Sequence, residues 1–265
     1  MLHHKTSLEY PKVNVQAIRV MMFFWLAGWF LKASFFVPYL LRTTVAYPVA
    51  DAFFPSFFMN PFVAMTFYLL PVLIVPVAVL KWQRWFWVSA VLLVVCAAML
   101  NLHINTCNDA TFVTSFWSGL WLCWLVRHIS ETDDSFRLQA NVLAQCVVAI
   151  MFMGGVIGKL TPEYWSGQIF RQIFIEQGGS SPFGKILGNV SGNVQGFVLA
   201  YLAKIIIGVE LLLGLAPLLP YRFVMAVMVM TSVGISLFST WRIFSVLLCL
   251  LGMLIAGQYL QKKTI

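Results

Sequence analysis

Charged residues are scarce in this chain, where Asp, Glu, Lys and Arg make up 10% of 265 residues while 61% are hydrophobic. With a mean hydropathy of +0.87, a water-facing globule has no way to hide so much apolar side chain, so lipid must be the main solvent. Short alternating apolar and polar segments are missing, which excludes a closed transmembrane barrel. There is no CxxC pair and no Cys/His cluster with metal spacing, so neither a zinc site nor an iron–sulfur cluster is expected. A serine-hydrolase elbow, a Walker loop and an HExxH helix are also absent, which removes the enzyme classes those motifs define. Paired broken helices and internal repeats, the marks of many transporters, do not appear. No cleavable small-residue pattern follows the first apolar run, which therefore reads as a retained helix.

What the chain does have is apolar runs of roughly 17–25 residues, the length an α-helix needs to cross a hydrocarbon core of about 30 Å. Candidate spans fall near 19–37, 61–80, 85–101, 111–126, 138–158, 196–219, 222–240 and 242–259. The fourth is short, and the last two are separated only by Ser239 to Arg242, so a count of seven stays open beside eight. The expected fold is an all-α, polytopic membrane bundle of about eight helices, a single transmembrane domain over 1–265 with no soluble domain.

The net charge of +8 is spread singly between apolar runs, which argues for membrane topology rather than nucleic-acid binding. With eight spans, roughly ten basic residues fall on the side of the termini and roughly five on the other. The positive-inside rule then puts both termini in the cytoplasm and loops 38–60 and 159–195 outside. Within the second loop, Thr161-Pro162-Glu163 supplies an N-cap, a proline at the first helical position and an acid at the dipole's positive end. A short extracytoplasmic amphipathic helix should start there, with Trp165, Ile169, Phe170, Ile173 and Phe174 on one face for the membrane interface and Gly178 to Pro182 ending it. Gly154 and Gly158 form a GxxxG pair that reads as ordinary helix packing.

An ionisable group at mid-span costs about 2.5–3.5 kcal/mol on insertion scales, so each such group needs a partner or a purpose. Lys32 and Lys204 sit near enough to the outer interface to snorkel. Glu210 lies near the middle of the sixth span; six positions from Lys204, it does not meet that lysine as an i,i+4 pair and needs a partner from another helix, for structure or for handling a proton. Lys159 stands where the fifth span meets the outer interface, a usual place for an anchor. His103 and Asp109 flank a polar turn that is either plain solvated loop or the lining of a site.

The segment Gly158-Lys159-Leu160-Thr161-Pro162-Glu163-Tyr164-Trp165-Ser166-Gly167, after a glycine-rich apolar helix, resembles the signature of the HTTM (horizontally transferred transmembrane) family. The Asn-rich turn at 101–109, before a span with Phe116, Trp117, Trp121 and Trp124, resembles that family's polar loop. The family includes the membrane domain of vitamin K-dependent γ-carboxylase, in which a lysine deprotonates a reduced quinone, and the resemblance lays that role on Lys159, with His103 and Glu210 as further candidates for catalysis. A lysine can act as a base where apolar surroundings disfavour its charged form. These 265 residues hold no counterpart of the carboxylase's large extracytoplasmic β-rich region, so carboxylation itself is not expected.

The resemblance is nearest to small bacterial members that serve production of a secreted sporulation-delaying peptide together with a separately encoded protein. It implies a bacterial cytoplasmic-membrane protein acting on a secreted peptide at the outer face. No cofactor is identified from the residues, and a quinone enters by resemblance only. The alternative is a membrane subunit of a quinone-linked oxidoreductase; a neighbouring gene for a peptide precursor favours the first function and one for a redox subunit the second.

Overall fold

The computed structural model describes residues 10–42, 60–80, 85–102, 109–176, 182–238 and 244–261, all of them helix, turn or connection with no strand among the described residues. The long helices are α1 (Lys12–Arg42), α2 (Pro61–Leu80), α3 (Phe86–Leu102), α4 (Ala110–Arg127) and α5 (Asp134–Ile157). Short helices α6 (Pro162–Trp165), α7 (Gln168–Arg171) and α8 (Pro182–Gly188) follow, then α9 (Gly192–Gly214), α10 (Tyr221–Phe238) and α11 (Phe244–Gln261). Five of these, α1, α2, α5, α9 and α11, are long and apolar enough to cross a membrane, and α3 and α10 add shorter apolar stretches. This is the build of an integral membrane protein, because so many continuous apolar helices have no other solvent that suits them.

The chain divides into two compact units, residues 1–144 with 248–265 and residues 145–247. In the first, Trp29 is fully buried, stacked on Tyr68 at 4.9 Å and edge-on to Phe112 at 5.7 Å. Burial forces its polar edge to find a partner, and the indole Nε1 donates to Ser115 Oγ at 2.8 Å, while the Tyr68 hydroxyl donates to the Trp29 carbonyl. Asn14, also buried, donates to the carbonyls of Ile129 and Glu131 at 2.7 Å each, satisfying the turn between α4 and α5.

The second unit buries Val156, Tyr164, Phe170, Phe174, Leu187, Leu199, Ala203 and Ile207 together. Its polar side chains close helix ends. Gln145 donates to the carbonyls of Ala216 and Leu219 after α9, and Gln195 to those of Leu187 in the last turn of α8 and Val190 just beyond it. The segment expected as one amphipathic helix is instead broken after Trp165. Gly167 takes a left-handed φ of 77°, and a Cβ there would lie 2.6 Å from the backbone of Leu199 and Ala200. Only glycine lets that turn approach α9 so closely. The residues assigned to one membrane-facing stripe separate as a result: Phe170 and Phe174 turn into the unit's own core while Trp165 is exposed. The glycines expected to end the helix, from 178, lie outside the described residues.

Candidate functional site at Lys159 and Glu210

The site begins with a helix end. The last turn of α5 closes with the Lys159 N–H donating to the Val156 carbonyl at 2.9 Å, and the chain then turns into α6, whose N-cap Thr161 accepts from the Tyr164 N–H at 3.3 Å. The Thr-Pro-Glu start thus forms as its residue types dictate. This turn holds Lys159 at the end of α5 with its side chain reaching α9.

There it meets Glu210. The Lys159 ammonium donates to both carboxylate oxygens, at 2.6 Å and 2.7 Å. The Lys159 side chain is 25% exposed and the Glu210 side chain 16%, so the pair is largely withdrawn from solvent without being sealed. Lys159 Nζ also approaches the Gly155 carbonyl at 3.4 Å and stands 5.8 Å from the centre of the Tyr164 ring, where the ring face attracts a cation. The partner from another helix that Glu210 was expected to need is therefore Lys159, which sequence reasoning had placed at a separate position.

Gly155 makes the pairing possible. A Cβ at 155 would lie 3.3 Å from both Lys159 Nζ and Glu210 Oε2, so any larger residue crowds the two charged groups. The close approach thus falls to the glycine between Gly154 and Gly158. Gly154 has no heavy atom within 4 Å of where its Cβ would be, and Gly158 meets only carbonyls of its own helix. The expected GxxxG packing is not what these glycines do among the described residues. Tyr164, in the core of the short-helix cluster, has its phenol raised above the ordinary tyrosine range, first by burial and second by the negative charge of Glu210.

Of the other sequence candidates, His103 lies outside the described residues, so its position relative to Lys159 is not described. Lys32, expected to snorkel, is paired instead: it donates to Asp109 Oδ2 at 2.6 Å within the first unit. Asp109 is the N-cap of α4, its other oxygen accepting the Thr111 N–H at 2.9 Å. A signal was available in the sequence, since an aspartate immediately before an apolar run is a cap and lies at the level where a lysine late in α1 ends. Tyr164 and Gly155 were missed because their roles arise only when α9 is brought against the α5 end.

Fold and site together define a helical membrane protein with a partly buried lysine–glutamate pair at the junction of a spanning helix and a short-helix cluster. Compared with protein-family models, curated proteins and solved structures, the chain finds no match.

Proposed function

We propose that this protein is a membrane-embedded factor for maturation of a secreted peptide, in which Lys159 acts as a base at the outer face and Glu210 is its proton partner. The observation that carries the reading is the dedicated pair: both Glu210 oxygens are given to one ammonium, at 2.6 Å and 2.7 Å. Passing the shared proton from Nζ to a carboxylate oxygen turns ammonium and carboxylate into amine and carboxylic acid. The free amine then takes a proton from an acidic bond of the substrate, leaving the electron pair on the substrate and restoring the ammonium.

The resemblance of Gly158 to Gly167 to the HTTM signature supports the same residue from a different direction. We assign eight spans, both termini cytoplasmic in a bacterial cytoplasmic membrane, and the 159–195 region outside, because the basic residues crowd the side of the termini. An outward-only thiol reagent should label a cysteine introduced within 182–186 and spare one within 128–136; the opposite pattern reverses the assignment.

The chemical claim is tested by Lys159→Arg and Lys159→Ala at equal expression, scored by the yield of secreted product. Arginine keeps a long cation and cannot lose its proton in a protein, so a base predicts loss of activity in both variants. Loss in alanine alone returns Lys159 to an anchoring role, and full activity in both removes it from the site.

A further inference from the structure

The Lys159 ammonium meets negative charge of three kinds, and only one of them can be switched off by a proton. Nζ lies 2.6 Å and 2.7 Å from the Glu210 oxygens, 3.4 Å from the Gly155 carbonyl and 5.8 Å from the centre of the Tyr164 ring. The ring is fixed from behind. Thr161 caps α6 and accepts the Tyr164 N–H at 3.3 Å, which sets the residue in the first turn, and Phe170 packs against the ring edge-on at 5.1 Å with 67° between the planes. Tyr164 is 6% exposed, so close packing keeps its face where the helix start puts it.

The proton cycle assigned to the pair changes what answers the ammonium. Once Glu210 has taken the shared proton it is a neutral acid, and the Lys159 amine is neutral too. When the amine then takes the substrate's proton, a positive charge returns to Nζ while the carboxyl opposite bears no negative one, and the electron pair of the broken bond stays on the substrate. Besides the substrate's own anion, the attractions left to the new ammonium are the Gly155 carbonyl, at a long 3.4 Å, and the ring face of Tyr164. A ring face attracts an ammonium far more than an amine. The contact therefore strengthens as the proton arrives, which is the condition for lowering a barrier rather than only tightening binding.

We propose that Tyr164 is a positioning residue for Lys159, its ring face holding the ammonium that forms when Lys159 takes up the substrate's proton. This deepens the reading of Lys159 as a base and rests on it. The ring also fills the core of the short-helix cluster, a task that its shape alone serves. What separates the two roles is the negative charge over the ring face, which fluorine withdraws with little change of shape.

Phenylalanine bearing no, one, two or three fluorines is placed at position 164 alone in the full-length protein. At equal expression the yield of secreted product should fall stepwise along the series, by about tenfold from the first member to the last, the size that a partly desolvated cation–ring contact reaches. The denaturant midpoint of unfolding should fall stepwise as well. Along the same series in the Lys159→Leu, Glu210→Leu double variant, which has no cation to hold, the midpoint should stay level. A level yield and midpoint in the protein that keeps Lys159 overturn the proposal, as does a fall that persists in the double variant, because the ring then only packs. A midpoint that falls while the yield stays level overturns the catalytic use of the ring. Full yield in Lys159→Arg sinks the base reading and the proposal with it, whereas a level fluorine series beside an inactive Lys159→Arg sinks the proposal alone.

Discussion

Among the described residues, each unit of the molecule holds one lysine–carboxylate pair near a helix end, and the two are built differently. In the first unit Asp109 divides its oxygens, one accepting from Lys32 and the other from the Thr111 N–H at the start of α4. In the second, Glu210 gives both oxygens to Lys159 and caps no helix among the described residues. The cations sit over aromatic faces at nearly the same distance, 5.9 Å from Phe112 for Lys32 and 5.8 Å from Tyr164 for Lys159. What separates the pairs is the carboxylate's second duty. A carboxylate that also holds a helix start is tied to backbone structure, because protonating it weakens the cap. One that answers only an ammonium can accept a proton while the helices around it stay as they are.

The largest contrast should appear in activity. Glu210→Gln keeps a hydrogen-bonding side chain of the same shape but cannot take up the proton, so the yield of secreted product should fall by about 100-fold or more. Asp109→Asn, which keeps a capping oxygen, should leave that yield within about twofold. Equal effects of the two changes at matched expression would erase the distinction between the pairs.

Next in size is a difference in how each pair tolerates apolar replacement. Glu210→Leu and Asp109→Leu each take the carboxylate partner from a largely buried lysine and should cost about 3 kcal/mol of stability. Adding Lys159→Leu to the first should recover most of that loss. Adding Lys32→Leu to the second should leave about 1 kcal/mol unrecovered, because the Thr111 N–H still lacks its cap. Denaturant unfolding of the four variants measures both couplings, and full recovery in both units would mean that the Asp109 cap contributes nothing.

The smallest expected effect is on alkaline stability and rests on the aromatic beside each cation. Folding raises the Tyr164 phenol, first through burial and second through the charge of Glu210. From about pH 10, where an unperturbed tyrosine loses its proton, the unfolded chain therefore ionises before the folded one. Tyr164 contributes stability that is whole below that pH and declines as pH rises through the folded value. Tyr164→Phe should flatten the decline and Glu210→Gln should lessen it. Phe112 has no proton to lose, so Phe112→Leu should shift stability by the same amount at every pH.

Much of the fold was legible because its signals are local. The runs at 61–80 and 138–158 correspond to α2 and α5 within a few residues, since apolar length alone makes a helix in lipid. Thr161-Pro162-Glu163 announced α6, because a cap acts within one turn. The break at Gly167 was less visible. Nothing nearby in sequence marks that turn as the one that must lie against Leu199 and Ala200, and without it the apolar residues of 165–174 read as one stripe.

By itself the sequence determined that this protein is helical, that lipid is its solvent, and that Lys159 and Glu210 each needed an explanation. These conclusions depend on composition and on distances of a few residues, where covalent geometry and transfer free energy act alone. Only the tertiary structure decided that Lys159 and Glu210 explain each other, that Gly155 leaves them room, and that Asp109 is shared between a cation and a helix. An ion pair joins residues 51 positions apart along the chain, and its formation depends on which helix faces lie against each other, a choice made by the packing of the whole unit.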